Sequence, residues 1–314
     1  MKKFFTWGWI VLILGILLLG VGVVMHGNKA VTFDNWKPST VHNTKLKKEY
    51  SKIGKFNSID VTTTEADLTI VKGDSYAVEY DGKTKHKPSV EVENQRLIIK
   101  QKESTFNEFH LSFYYNEHSE DTEKITITVP QKVSLNDIKV KTDSGNVTVN
   151  DQGTASLGIS SVDGDLTLNN VTASKANVAL QGGDLIADNV GFNAGKISQT
   201  DGDLTMKASK LNQVEVQNRG GDVSYTDVDL INGGLKMQDG DFSANQISIN
   251  GGYDVDNSSG DNTVVNAQAG GYHLTTSDGS NRLYGRSSDS DVVQNSKSSN
   301  ILRLTTSDGD NEVK

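Results

Sequence analysis

Val162-Asp163-Gly164-Asp165-Leu166-Thr167-Leu168, Gln181-Gly182-Gly183-Asp184-Leu185-Ile186-Ala187 and Thr200-Asp201-Gly202-Asp203-Leu204-Thr205-Met206 are three copies of one pattern, evenly spaced along the chain. Working outward from them, the glycine returns at Gly145, Gly164, Gly183, Gly202, Gly221, Gly240, Gly260, Gly279 and Gly309. Five consecutive steps of 19 are followed by 20, 19 and 30. A fixed period of this size is the signature of a repeat architecture. The long last step carries the Ser- and Asp-rich stretch from Arg286 to Ser299, which reads as a loop pushed out of one coil.

Apolar residues return at fixed offsets from each glycine. Two positions on stand Val147, Leu166, Leu185, Leu204, Val223 and Phe242, and four on stand Val149, Leu168, Ala187, Met206, Tyr225 and Ala244. Further columns hold Val171, Val190, Val228 and Ile247, then Phe192, Leu211, Leu230 and Ile249, then Ile159, Val178, Ile197, Val216 and Leu235. Steps of two are strand spacing, and the intervening steps of three mark corners, so each turn reads as three short strands. So few inward side chains cannot offset the entropy of ordering one such unit alone, whereas stacking the units joins the columns into one core. The expected fold is all-β: a parallel β-solenoid, or β-helix, with turns of about 19 residues. Nine stacked turns would extend about 43 Å. No proline follows Pro130, where it would remove a ladder donor, and 22 of the 30 glycines fall after residue 135.

Upstream, residues 53–135 alternate as strands do, in Ile59-Asp60-Val61, Asp67-Leu68-Thr69-Ile70 and Ile125-Thr126-Ile127-Thr128-Val129. Ala66 takes the glycine slot, at a distance before Gly145 that is close to four turns. This stretch reads as an irregular first part, or cap, of the solenoid, with the regular repeats over 136–314. Residues 28–52 read as a polar tether. Residues 1–27 read as an anchor, because Phe4 to Met25 runs 22 residues without a charge, 17 of them apolar, which suffices to span a bilayer. Lys2 and Lys3 before that run predict a cytoplasmic N-terminus, with the rest of the chain outside the cell.

The sequence from Ser58-Ile59-Asp60-Val61 through Ala66-Asp67-Leu68-Thr69-Ile70 and Ile125-Thr126-Ile127-Thr128-Val129-Pro130 to the glycine repeats resembles a bacterial domain-of-unknown-function family known as "putative adhesin", to which LiaG-like proteins belong. The resemblance covers about residues 50–314. It implies an anchored envelope protein of a Gram-positive bacterium with a β-solenoid ectodomain, and it supplies no catalytic or ligand-binding residues.

Two features invite chemistry. Asp165, Asp184, Asp203, Asp222 and Asp241 recur in register, so that stacking makes a ladder of like charges that bound Ca²⁺ would relieve. The alternative is that Asp and Gly are there to build the corners. Phe106, Phe109, Phe113, Tyr114 and Tyr115 crowd into one short stretch and read either as a plug for one end of the core or as a partner patch.

Absence of cysteine excludes disulfides and thiolate metal sites. Five of the six histidines precede the repeats and only His273 falls within them, so no catalytic constellation is expected and no cofactor is implied. From residue 136 onward there are 24 acids and 13 bases, net −11, which argues against nucleic acid as a partner. The function these readings predict is non-enzymatic binding, adhesion or stress sensing at a cell-wall or envelope component. A structural spacer or self-assembling rod is the alternative. A polysaccharide-acting β-helix enzyme using Arg219, Arg282, Arg286 or Arg303 comes third.

Overall fold

The computed structural model describes residues 2–24, 31–34, 37–40, 45–50, 52–101, 109–111 and 122–314. The chain forms two compact units, Met1–Thr44 with Ser104–Asp121, and Lys45–Glu103 with Thr122–Lys314. In the first unit the helix α1 spans Lys2–Val24, and Val31–Asp34 is the middle strand of an antiparallel sheet between Lys37–Thr40 and Phe109–Leu111.

The expectation of a single-pass membrane protein is corrected here. Among the described residues no helix is long and apolar enough to cross a membrane. The placement with an N-terminus inside and an ectodomain outside falls with that span.

The second unit is built from two long sheets of 14 and 15 strands. Two positions after each glycine begins a strand of three or four residues, such as Leu166–Asn169, Leu185–Asp188 and Leu204–Lys207, and these strands stack in parallel in the 14-stranded sheet. The pairing register is the sequence period: Val147, Leu166, Leu185, Leu204, Val223, Phe242 and Asn262 lie side by side. At about 4.8 Å per strand this sheet extends on the order of 60 Å.

The second and third expected strands of each turn are joined in the 15-stranded sheet, so the coils are two-sheeted. Thr172–Leu180 is continuous, for example, and pairs with two short strands, Gly191–Phe192 and Gly195–Gln199. The expected corner survives as a bend, where Ala173, Ala176 and Val178 point inward with one step of three. The apolar columns of both sheets merge into one buried cluster running from Phe56 to Val313. Each buried Val, Leu, Ile, Phe or Met side chain contributes about 1.5–3 kcal/mol.

Coil order departs from chain order at both ends. Ser58–Thr62 and Asp67–Gly73 form the coil directly beside Leu135–Asn150, with Ile59 opposite Ile138 and Leu68 opposite Val147. Ala66 and Gly145 are therefore one coil apart in space, not four. The next coil is assembled from two distant segments, Arg96–Lys100 and Lys124–Pro130, each parallel to its neighbour. Beyond it, Ser89–Glu93, Ala77–Lys83 and Lys45–Glu49 close this end as antiparallel strands.

At the other end Ile301–Asp308 and Asn311–Val313 insert between the coil of Ser248–Ser259 with Asn262–Val265 and the coil of Gly271–Asp278 with Asn281–Leu283. The glycine column runs accordingly through Gly260, Gly309 and then Gly279. The surplus residues after Arg286 are not a loop pushed out of one coil. They hold two antiparallel edge strands, Arg286–Ser288 and Val292–Gln294.

Candidate functional site

The acid column has a local cause. The amide of Asp184 donates to Asp165 Oδ1 at 2.9 Å, that of Asp203 to Asp184 Oδ1 at 2.9 Å, that of Asp222 to Asp203 Oδ1 at 2.8 Å and that of Asp241 to Asp222 Oδ1 at 2.9 Å. The chain of bonds continues through Asp261 and Asp310 to the amide of Ser280. At its other end Asn146 does the same work, accepting from Asp165 at 2.8 Å and donating its own amide to Asp67. Each carboxylate thus fixes the backbone of the next coil with one oxygen. Among the described residues no group of three or more His, Cys, Asp or Glu converges to hold a metal ion.

Within each corner the glycine meets the glycine of the coil before it. A Cβ on Gly164, whose φ is +121°, would stand 2.8 Å from the Gly145 carbonyl oxygen. Buried polar side chains serve these carbonyls from inside: Gln199 Nε2 donates to Gly183 O at 2.8 Å, and Asn257 Nδ2 to Gly240 O at 2.9 Å. A second corner, six positions after the glycine, holds Asp151, Asn170, Asn189, Ala208, Asp227, Gln246 and Asn266 at φ between 48° and 57°. Most are Asn or Asp, which tolerate this region best.

Three asparagines replace the apolar column in the last coils. Asn262, Asn311 and Asn281 are fully buried; Asn262 Nδ2 donates to Asn311 Oδ1 and Asn311 Nδ2 to Asn281 Oδ1, both at 2.8 Å. They join the inserted C-terminal coil to both neighbours.

Glu123 is the one buried acidic or basic side chain among the described residues. His86 Nδ1 lies 2.8 Å from its Oε1, while Gln101 Nε2 and the Tyr80 hydroxyl donate to Oε2 at 2.7 and 3.1 Å. Burial, reinforced by the Glu123 charge, pushes the Tyr80 hydroxyl well above its usual pKa. Gln101 and Glu123 flank the excursion of the chain into the first unit, so this node ties the base of that excursion. Phe109 pairs across from Phe33 in the first unit's sheet. Phe106, Phe113, Tyr114 and Tyr115 lie outside the described residues.

His273 is on the surface, 3.4 Å from Asp291. Arg282 and Arg303 pair with Glu312 and Asp254. The lateral faces carry the repetition. On the 14-stranded sheet Thr69, Thr148, Thr167, Ile186, Thr205, Ser224, Ser243 and Thr263 form one outward row at strand spacing. On the 15-stranded sheet an open trough of about 530 Å³ crosses four strands between Lys139 and Lys196. A smaller one, about 330 Å³, lies over Asn189, Ser209, Lys210 and Asp229.

Glycine counting finds the corners and the acid column. It does not find the second left-handed column, although the Asn and Asp residues six positions on are its signal. Nor does it find the Glu123 node, whose partners precede it by 22 to 43 residues.

Comparison with known proteins places these features in a family. The model of the Toastrack DUF4097 family matches residues 56–314. No curated protein matches. Among solved structures, a "putative lipid binding protein" from Parabacteroides distasonis is 14% identical with a TM-score of 0.49, the match covering 87% of this chain and 98% of that one. A "putative adhesin" from Bacteroides fragilis is 15% identical with a TM-score of 0.40, covering 86% and 97%. A "putative cell adhesion protein" from Clostridium sporogenes is 11% identical with a TM-score of 0.20, covering 86% and 99%. At these values their names do not transfer to this chain.

Proposed function

The chain belongs to the Toastrack DUF4097 family, and we propose that it is a non-enzymatic, adhesin-like protein that binds a repetitive envelope component through the lateral faces of its solenoid. The observation that carries this reading is the outward row from Thr69 to Thr263, which repeats a hydrogen-bonding side chain at nearly every strand. Equivalent weak contacts at regular spacing add through effective concentration when the ligand repeats too.

Catalysis has less support. Among the described residues the one His–carboxylate pair with a buried carboxylate, half-buried His86 with Glu123, is shared with Tyr80 and Gln101 and serves as a structural tie. The self-assembling rod also has less support, because both ends of the solenoid finish in short antiparallel strands. One outermost strand, Lys45-Leu46-Lys47-Lys48-Glu49, is lysine-rich, a common way to block edge-to-edge pairing.

The test is retention of the full chain on isolated cell walls, with release of soluble wall fragments measured in parallel. The proposal expects retention without release, with and without Ca²⁺. Retention absent in both conditions, or steady release of fragments, contradicts it.

A further inference from the structure

The second unit is acidic overall, yet the trough on its 15-stranded sheet is basic. Four adjacent parallel strands supply it, through Leu135–Thr142, Gly153–Ser161, Thr172–Leu180 and Gly195–Gln199. Their outward residues form two rows across the strands. One row is Lys139, Gly158, Asn177 and Lys196; the other is Lys141, Ser160, Ala179 and Ser198. Within these two rows the middle strands carry only Gly158, Ser160, Asn177 and Ala179, which makes the hollow, while lysines stand at its two ends; Lys175, exposed on the third strand two positions before Asn177, stands beside it. Pairing fixes the spacing: Lys139 and Lys196 are three strands apart, about 14 Å, and Lys139 and Lys141 are two positions apart on one strand, about 6.6 Å.

Among the described residues no hydrogen bond or ion pair engages the ammonium groups of these three lysines. The nearest acids lie outside the trough. Asp60 is one strand beyond Lys139 and Glu215 one strand beyond Lys196, and Asp137 is paired with Arg96 at 2.9 Å.

We propose that this trough is a binding site for an acidic polysaccharide, a linear glycan whose anionic groups bridge Lys139 and Lys141 at one end to Lys196 at the other. The proposal rests on the lateral-face reading and names a site and a ligand class for it. Charge complementarity selects an anion. The length of the trough selects a chain bearing at least two anionic groups on the order of 14 Å apart over a single small ion. Ser160, Asn177 and Ser198 line it between the lysines and offer hydrogen bonds to sugar hydroxyls.

The trough has no aromatic side chain on which a base could stack, which disfavours single-stranded nucleic acid. Nor does it present a large exposed apolar side chain for insertion into a bilayer; Val162, Ile186, Tyr284 and Val293 of this unit are exposed elsewhere. Lysine acts as a point charge, so carboxylate and phosphate are both accepted.

The experiment is calorimetric titration of the full chain with galacturonic-acid oligomers of defined length. Neutral oligosaccharides of equal length, phosphatidylglycerol vesicles and oligothymidylate are the comparison ligands. Affinity is expected to rise with oligomer length until the chain spans the lysines, and to fall as salt is raised. Lys139→Gln, Lys141→Gln and Lys196→Gln should each weaken binding by about two- to fivefold, and the triple variant by about tenfold or more. Lys207→Gln, on the other sheet, should leave it unchanged. Exposed lysine variants keep the fold, and a melting curve verifies this.

Unchanged affinity in the triple variant, equal binding of the neutral oligomers, or binding to vesicles or oligothymidylate in place of the uronate overturns the proposal. Retention on walls is a separate readout. If the triple variant loses uronate binding while the wild type fails to sediment with walls, the trough stands and the envelope reading falls. If walls retain the triple variant fully and uronate binding is unmoved, the reverse holds.

Discussion

At Gly164 two independent constraints coincide, a φ of +121° and a carbonyl oxygen where a Cβ would stand. Gly164→Val should therefore destabilise by about 2 kcal/mol or more, read as a shift in the urea midpoint, against a near-neutral Lys207→Gln. Equal midpoints would show that the coils do not stack through this corner. The aspartate beside each glycine gives a finer test. Asp203 accepts the Asp222 amide through Oδ1, and Asn146 fills the same role at the start of the column. Asp203→Asn should thus stay within about 0.5 kcal/mol of wild type, whereas Asp203→Ala should lose about 1 kcal/mol. If calcium and not the backbone held these carboxylates, the Asn variant would fail too, and Ca²⁺ would raise the melting temperature of the wild type. Glu123→Ala should cost about 2–4 kcal/mol, because it leaves His86, Gln101 and Tyr80 without their shared acceptor; a midpoint like that of wild type would mean that the node ties nothing. Repeated residues such as Gly164 and Asp203 were legible in the sequence because their pattern recurs from coil to coil. Glu123 occurs once, and its partners are gathered by the chain's excursion, so no local pattern announces it.

Strand identity was legible for the same reason, since Leu166 and Leu168 flank a threonine and Leu204 and Met206 do the same two turns later. Strand order at the ends was not. Parallel pairing joins residues by stacking and not by a turn, so a segment with the coil pattern fits beside any other coil. Ile301–Asp308 illustrates this, carrying the coil pattern in full and yet lying inside Gly271–Asp278. The buried asparagines at 262, 311 and 281 are what distinguishes these three coils, because each needs an amide partner at the same level. Hydrogen exchange checks the insertion. The amides of Leu302 and Leu304 should be protected about as well as that of Leu235 in the middle of the sheet, and better than those of Val292–Gln294 at the edge. Fast exchange at Leu302 and Leu304 would place the last coil at a fraying end, as simple chain order would have it.

Over the solenoid as a whole, charge and repetition point in different directions. The net charge of −11 after residue 135 was legible, but the basic trough within it was not, because Lys139, Lys141 and Lys196 become neighbours only when coils stack. The lateral row of Thr and Ser is set by the strand register, and its pattern does not name the ligand it suits. A distributed face and a single trough make different demands on length, and a coil deletion separates them. Removing residues 202–239 excises two turns between equivalent points and leaves Lys139, Lys141 and Lys196 in place. The measurement is retention on isolated cell walls of the full chain, of the chain lacking residues 221–239, and of the chain lacking 202–239, with β-structure verified by circular dichroism. Binding along the lateral faces predicts that retention falls stepwise with each turn removed while the spectrum stays that of a β-solenoid. Retention that is unchanged by both deletions, or absent from the full chain, would contradict it.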